Sequence, residues 1–167
     1  MNATQPPPIR KSRSGTPTTT PEPSGFIDLR TAASFSYSAE DELHPLENIL
    51  DDRSGPGGSY WASDRENTVE TIALRFDAPQ SLSRMTYEVE ERTEERTQEI
   101  RVEVSDDSGA TFRVVLTQQF NFSPRGTTFQ REDIRLRESR ATDLRLTITP
   151  NYDGSGRATL TSLRLYP

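Results

Sequence analysis

Two short stretches gather the residue types that recognise polar ligands. The first is RSGPGGSYWASDREN, which sets Tyr60 and Trp61 beside Asp64 and Arg65 in a glycine-rich run. An aromatic ring stacks on a sugar face or anchors an interface, and an arginine fork donates two parallel hydrogen bonds to oxygen pairs. The second is QFNFSPRGTTFQR, which places Asn121, Phe122 and Arg125 between Phe120 and Phe129. Aromatic walls with a few convergent polar groups are the usual form of a ligand pocket. Tyr60, Trp61, Asp64, Arg65, Asn121, Phe122 and Arg125 are therefore the expected ligand-binding residues. Several have a structural alternative. Trp61 could plug one end of the fold against Leu50 and Phe76, Arg65 could serve a surface ion pair, and Phe120 and Phe122 could extend the preceding strand into the core.

Catalytic chemistry finds little support. His44 is the only histidine and there is no cysteine, so no nucleophile–histidine dyad through cysteine, no multi-histidine metal site and no thiolate zinc site can be assembled. Carboxylates are plentiful, but paired-carboxylate catalysis depends on their separation and environment. The GPGGS run precedes no helical pattern and is not a phosphate-binding loop. No catalytic residue is assigned, and a binding module is expected rather than an enzyme.

Composition narrows the partners. The 167 residues carry 20 Lys and Arg against 26 Asp and Glu, for a formal charge of −6. Nucleic-acid binding normally leaves a basic footprint, because phosphate contacts dominate affinity. Here the bases are interleaved with acids, and Lys11 is the only lysine among them. Nucleic acid is not the expected partner. No run approaches the ~18 apolar residues of a membrane span. The opening MNATQPPPIRKSRS has no apolar core of a secretory signal, so a cytoplasmic location is expected.

The elements that must position these residues read as strands. Residues 1–24 are rich in Pro, Thr and Ser, cannot build a core and are expected to be a disordered tail. From residue 25 to 167 a single all-β domain is expected. Phe26 to Leu29 reads as a first strand, and Pro45 opens a short helical turn in LHPLENIL. Arg53 to Asn67 reads as one long loop. Period-two alternation then marks Ile72, Leu74 and Phe76; Met85, Tyr87 and Val89; Ile100, Val102 and Val104; and Phe112, Val114 and Leu116. It returns in Ile134 with Leu136, in Leu144, Leu146 and Ile148, and in Leu163 with Leu165. RVEVSDDSGATFRVVL is a hairpin turning at Asp-Ser-Gly. EVEERTEERTQE has no apolar stripe for a helix to dock and reads as a polar hairpin connection or as exposed strand ends. Half-wet strands of this kind pack as a two-layer β-sandwich.

Three pieces of this pattern resemble the discoidin-like, or coagulation-factor type C, group of galactose-binding-like jelly rolls. Ala33-Ser34 followed by Glu47-Asn48-Ile49-Leu50-Asp51 resembles its early loop and N-x-L-D turn. Trp61 followed by Ile72-Ala73-Leu74-Arg75-Phe76 resembles its V-x-L-x-F strand. VEVSDDSGATFR resembles its S-x-D-G-x-T-W hairpin, with Phe112 at the aromatic position. Leu144-Arg145-Leu146 and Leu160 to Tyr166 resemble its closing strands. The likeness spans about Phe26 to Tyr166 and implies a jelly-roll β-sandwich whose end loops bind sugars, membranes or proteins without catalysis. Gln118 to Pro124 is also similar, more remotely, to the N-terminal domain of a DNA single-strand-break repair scaffold protein, which implies protein partners. Many sugar-binding members hold a structural calcium. Asp51 or Asp52 stands at the early acidic position, but the late position, near Thr159 to Ser162, has no glutamate for a shell of six to eight oxygens. No cofactor is expected, with calcium left open. The resulting expectation is a carbohydrate-like ligand at one end of the sandwich, with a protein partner in an intracellular assembly as the alternative.

Overall fold

A computed structural model of the protein describes residues 25–51, 53–151 and 156–167. The expected tail, Asp52, and the tip Tyr152-Asp153 lie outside the described residues.

The chain enters through a single helical turn, α1 (Leu29–Ala32), rather than the expected strand at Phe26. Asp28 explains the difference: its side chain caps the turn by accepting from the Arg30 N–H at 3.1 Å. Strand β1 (Ala33–Tyr37) follows, then a 3₁₀ turn over Leu46–Leu50 after Pro45, as the sequence indicates. The supposed loop from Arg53 to Asn67 is only partly one, because Trp61–Glu66 forms β2. The remaining strands are β3 (Glu70–Glu90), β4 (Arg96–Ser105), β5 (Arg113–Phe122), β6 (Phe129–Thr149), β7 (Arg157–Leu160) and β8 (Ser162–Tyr166).

The result is an all-β sandwich. The two runs read as Thr71–Phe76 and Leu82–Val89 are one 21-residue strand, and β6 likewise fuses two runs. β3 and β6 pair antiparallel along nearly their whole length, from Glu70↔Ile148 to Glu90↔Phe129, with register shifts between Arg75 and Arg84. Before the shifts they belong to the order β1-β3-β6-β4-β5. Beyond them β3 instead takes β8 as its second neighbour, Met85 facing Leu165. The irregular middle is where bulges let a strand bend from one layer to the other. β2 and β7 form a separate pair, Trp61 opposite Leu160.

The core follows the alternation. Ile72, Leu74, Tyr87, Val89, Ile100, Val102, Leu144, Leu146 and Ile148 are all buried in one cluster. The fourth run departs from expectation. A bulge between Val102 and Glu103 puts Val115 out of register, so Val102 faces Leu116 while Glu103 faces Val114. Val114 therefore points outward and is exposed, whereas Leu116 packs on the core.

The hairpin turn between β4 and β5 is fixed by one side chain. Asp107 accepts from the Thr111 N–H (2.9 Å), the Thr111 hydroxyl (2.6 Å) and the Ser105 hydroxyl (2.7 Å). Ser108 and Gly109 both take positive φ. The hydrogen bonds, first those from the Thr111 and Ser105 hydroxyls, favour the ionised carboxylate and lower its pKa to about 2. A depressed pKa means the carboxylate's contribution is present above the ordinary aspartate value of about 3.9 and is lost as pH falls toward the folded value. Following the Thr111 amide by NMR during acidification should show a midpoint near 2; a midpoint near the ordinary value would contradict these bonds.

Candidate functional site

Loops from several elements converge at one end of the sandwich. The turn after β3, at Glu91 to Glu95, stands beside the glycine loop and the start of β7. Gly55 and Gly57 donate their N–H groups to Glu88 and Glu90 of β3, at 2.9 and 2.8 Å. The β5–β6 turn joins them, with the Glu91 N–H donating to the Thr128 carbonyl at 2.8 Å. Between these segments lies a cleft of about 500 Å³, walled by Tyr60, Glu66, Arg92, Glu94 and Arg157 above a floor that includes Thr159.

Tyr60 gives this cleft its aromatic wall. Its ring stacks on His44 with centroids 4.1 Å apart and an 18° tilt, and its hydroxyl lies 3.1 Å from His44 Nε2. The lone histidine is thus a support for the tyrosine. Asn48 holds the Tyr60 carbonyl at 2.9 Å, and Asp51 tightens the same loop by accepting from the Arg53 N–H and the Ser59 hydroxyl. Arg157 is braced from behind by Asp41 at 2.6 Å. Glu91 is held below the usual carboxylate range: burial works to raise it, but bonds from Thr93 and the charge of Arg96 outweigh that.

Beneath the cleft is a buried polar cluster that sequence reasoning missed. Arg96, its side chain 1% exposed, bonds Glu91 (2.9 Å), Gln98 (3.0 Å), the Pro150 carbonyl (2.9 Å) and the Thr159 hydroxyl (2.8 Å). Gln98 in turn bonds both backbone groups of Thr159. A charge so far from water persists only when its donors are filled, and here partners from four elements or turns fill them. The signal was present: Arg96 and Gln98 continue the inward positions of Ile100, Val102 and Val104. Gly156 fits because of this cluster. Its φ is +123°, and a Cβ there would stand 3.2 Å from Arg96 Cδ.

The seven expected site residues separate. Tyr60 lines the cleft. Trp61 does not contact solvent at all; it is a core residue on β2, paired opposite Leu160, and its place in the ligand-binding set is corrected. Phe122 is corrected on the same ground, being 1% exposed under the Arg96 guanidinium. Alternation along β5 drives Phe122 inward, and Trp61 opens a β2 segment, Trp61 to Ser63, that is buried throughout. Arg65 is committed to Glu70, which it grips through Nε at 2.8 Å and Nη2 at 3.1 Å. Burial alone would raise Glu70, yet bonds from Arg65, Ser38 and Thr68 hold it below the usual range. Asp64 is exposed on β2 beside Arg65, away from the cleft lining. Asn121 is exposed and accepts from the Thr97 hydroxyl at 2.6 Å. Arg125 is exposed in the β5–β6 turn, at the same end of the molecule but not in the cleft wall. Among the described residues, no group of three or more His, Asp or Glu side chains is placed to hold a metal ion. No helix among them is long and apolar enough to cross a membrane.

The fold and the sequence pattern together define a class. The chain belongs to the F5/8 type C domain family, which matches residues 31–162. No curated protein sequence matches it. Among solved structures it is similar to CpGH89CBM32-5 from Clostridium perfringens, in complex with GalNAc-β-1,3-galactose, at 15% identity over 85% of this chain and 99% of that one, TM-score 0.59. It is also similar to the family 32 carbohydrate-binding module of C. perfringens NanJ in complex with galactose, at 11% identity over 86% and 98%, TM-score 0.60. A Ruminococcus gnavus GH29 fucosidase in complex with fucose matches at 16% identity over 84% of this chain but only 26% of its own, TM-score 0.63.

Proposed function

We propose that this domain is a non-catalytic binding module for a carbohydrate, held in the end cleft between the glycine loop and the Glu91–Glu95 turn. The observation that carries the reading is the cleft itself. It offers a braced aromatic ring at Tyr60 among carboxylates and guanidinium groups. Sugars present hydroxyls that both donate and accept, and apolar C–H faces that stack on rings. Glu66 and Glu94 accept; Arg92 and Arg157 donate. The complexes of the similar modules with galactose and GalNAc-β-1,3-galactose support the same ligand class.

Titration calorimetry against galactose, N-acetylgalactosamine and their disaccharides tests this. Tyr60→Ala should weaken the best ligand about tenfold, since an aromatic contact contributes ~0.5–1.5 kcal/mol beyond its buried area. Asp64→Ala should leave affinity unchanged. The reading fails if no sugar binds, or if a protein partner from the host is retained in a Tyr60-dependent way while sugars neither bind nor compete.

A further inference from the structure

A second recess lies on the outer face of the five-stranded layer. It has a volume of about 450 Å³, and Ser34, Ser36, Ala73, Arg75, Phe112 and Arg145 line it together with Asp143. Apart from Phe112, which precedes β5, these are outward-facing positions of β1, β3 and β6, alternating with buried Ile72, Leu74, Leu144 and Leu146. The groove is remote from the end cleft. Along β6, Asp143 lies seven residues before Pro150, roughly 23 Å at the rise of a strand.

Asp143 is the unusual member. Its side chain is only 7% exposed, and Oδ1 accepts from Arg75 Nε at 2.8 Å. Oδ2 is buried and has no hydrogen-bond partner among the described residues. A buried carboxylate oxygen left unpaired is costly, and such an atom marks either a function or a bound donor. Its ion-pair partner Arg75 lines the same recess, is 64% exposed, and rests its Nη2 on the Ser108 carbonyl at 3.0 Å. Gly109 borders the rim at φ +81°, a left-handed backbone conformation that favours glycine.

The charges select the ligand. Arg75 is balanced by Asp143, and Arg145 by Glu103 at 2.9 Å. Phe112 holds the Arg145 guanidinium 4.0 Å over its ring. A cation would meet two arginines, and an anion would meet Asp143. A neutral group with adjacent donor and acceptor satisfies both. One hydroxyl donates to Asp143 Oδ2, and its neighbour accepts from an unused N–H of Arg75. Ser34 and Ser36 supply further hydroxyls from β1.

The geometry points to a second binding site in this groove, for a neutral vicinal diol of a saccharide, with Asp143 as the buried acceptor and Arg75 as the side chain that swings to admit it. This site is independent of the end cleft and of the function proposed for it.

Backbone amide NMR of the whole chain, titrated with galactose, glucose and their neutral disaccharides, separates the two sites. Saturable shifts are expected at Ser34, Ser36, Ala73 and Gly109. They should persist in Tyr60→Ala, which reports on the cleft alone. They should weaken at least about tenfold in Asp143→Asn, which loses the charge-assisted bond. Ala73→Leu fills the groove without removing any polar contact, and should abolish them. The inference is overturned if no groove amide responds to any sugar, or if the shifts vanish in Tyr60→Ala. It is equally overturned if they survive Ala73→Leu, or if inorganic sulfate, and no neutral sugar, produces them.

Discussion

Replacing Arg96 with Ala is expected to destabilise the domain by about 3–5 kcal/mol, the usual cost of breaking a buried ion pair from one side. Four partners lose their donor at once. Glu91 keeps only its bonds from Thr93 and Glu94, and the Pro150 carbonyl and Thr159 hydroxyl lose a guanidinium N–H each. Total stability of a domain this size is about 5–15 kcal/mol, so the variant loses a large share of it. Urea unfolding followed by circular dichroism reads the change as a lower midpoint. Arg96→Lys should recover only part, because an ammonium cannot span Gln98, Pro150, Thr159 and Glu91 with a planar fork. The same change loosens the support beneath Thr159 and Glu91, which line the end cleft. Ligand affinity should therefore fall in Arg96→Lys even at temperatures where it stays folded. A wild-type midpoint in Arg96→Ala would show that the cluster contributes nothing.

Trp61→Ala is the second large effect, expected at about 3–5 kcal/mol because a fully buried indole leaves a cavity that its neighbours fill only in part. Trp61→Phe should be far milder. Its Nε1 is buried without a partner among the described residues, so losing that N–H breaks no hydrogen bond. Both are measured by thermal or denaturant unfolding. The contrast with Tyr60 is the sharper test. Trp61→Phe should keep sugar affinity while Tyr60→Ala loses it, although the two residues are adjacent. Equal loss in both would return Trp61 to the binding surface.

These two residues also show what was legible in the sequence. Strand identity was, because period-two burial is a property of single residues: Ile72, Leu74 and Phe76 announce their face without help from the rest of the chain. The family likeness was legible for the same reason, through Asn48-Ile49-Leu50-Asp51 and the Asp-Ser-Gly turn. The joining of two runs into β3 was not, because Asp77-Ala78-Pro79-Gln80 reads as a break, and only the pairing with β6 that resumes beyond it, at Gln80 with Ala141, makes the two runs one strand. Trp61 and Arg96 failed in opposite directions. Residue type suggested that the aromatic was at the site and the arginine in water. Position said otherwise: Arg96 continues the inward face of β4, and Trp61 opens a strand hidden inside an apparent loop. Tyr60 kept its place because its neighbour took the core position. The cleft wall from Glu90 to Glu94 was read as a connection, and connections between strands are where binding surfaces are carried.

The shared strands have a consequence for how the molecule is made. Because β3 and β6 run through both layers, neither layer forms a closed local unit that can assemble first. Even the nearest rung of the β3–β6 ladder, Glu90 with Phe129, closes a loop of about 40 residues, and the farthest, Glu70 with Ile148, one of about 80. Almost all strand pairings apart from the β4–β5 hairpin are of this distant kind. Contact order therefore places refolding in the slow range for single domains, milliseconds to seconds, with the Asp107 hairpin as the natural local starting point. The edge strand β5 stays unpaired on its outer side once that hairpin has formed, and its early exposure makes dilute conditions the better choice for recovering the protein from denaturant.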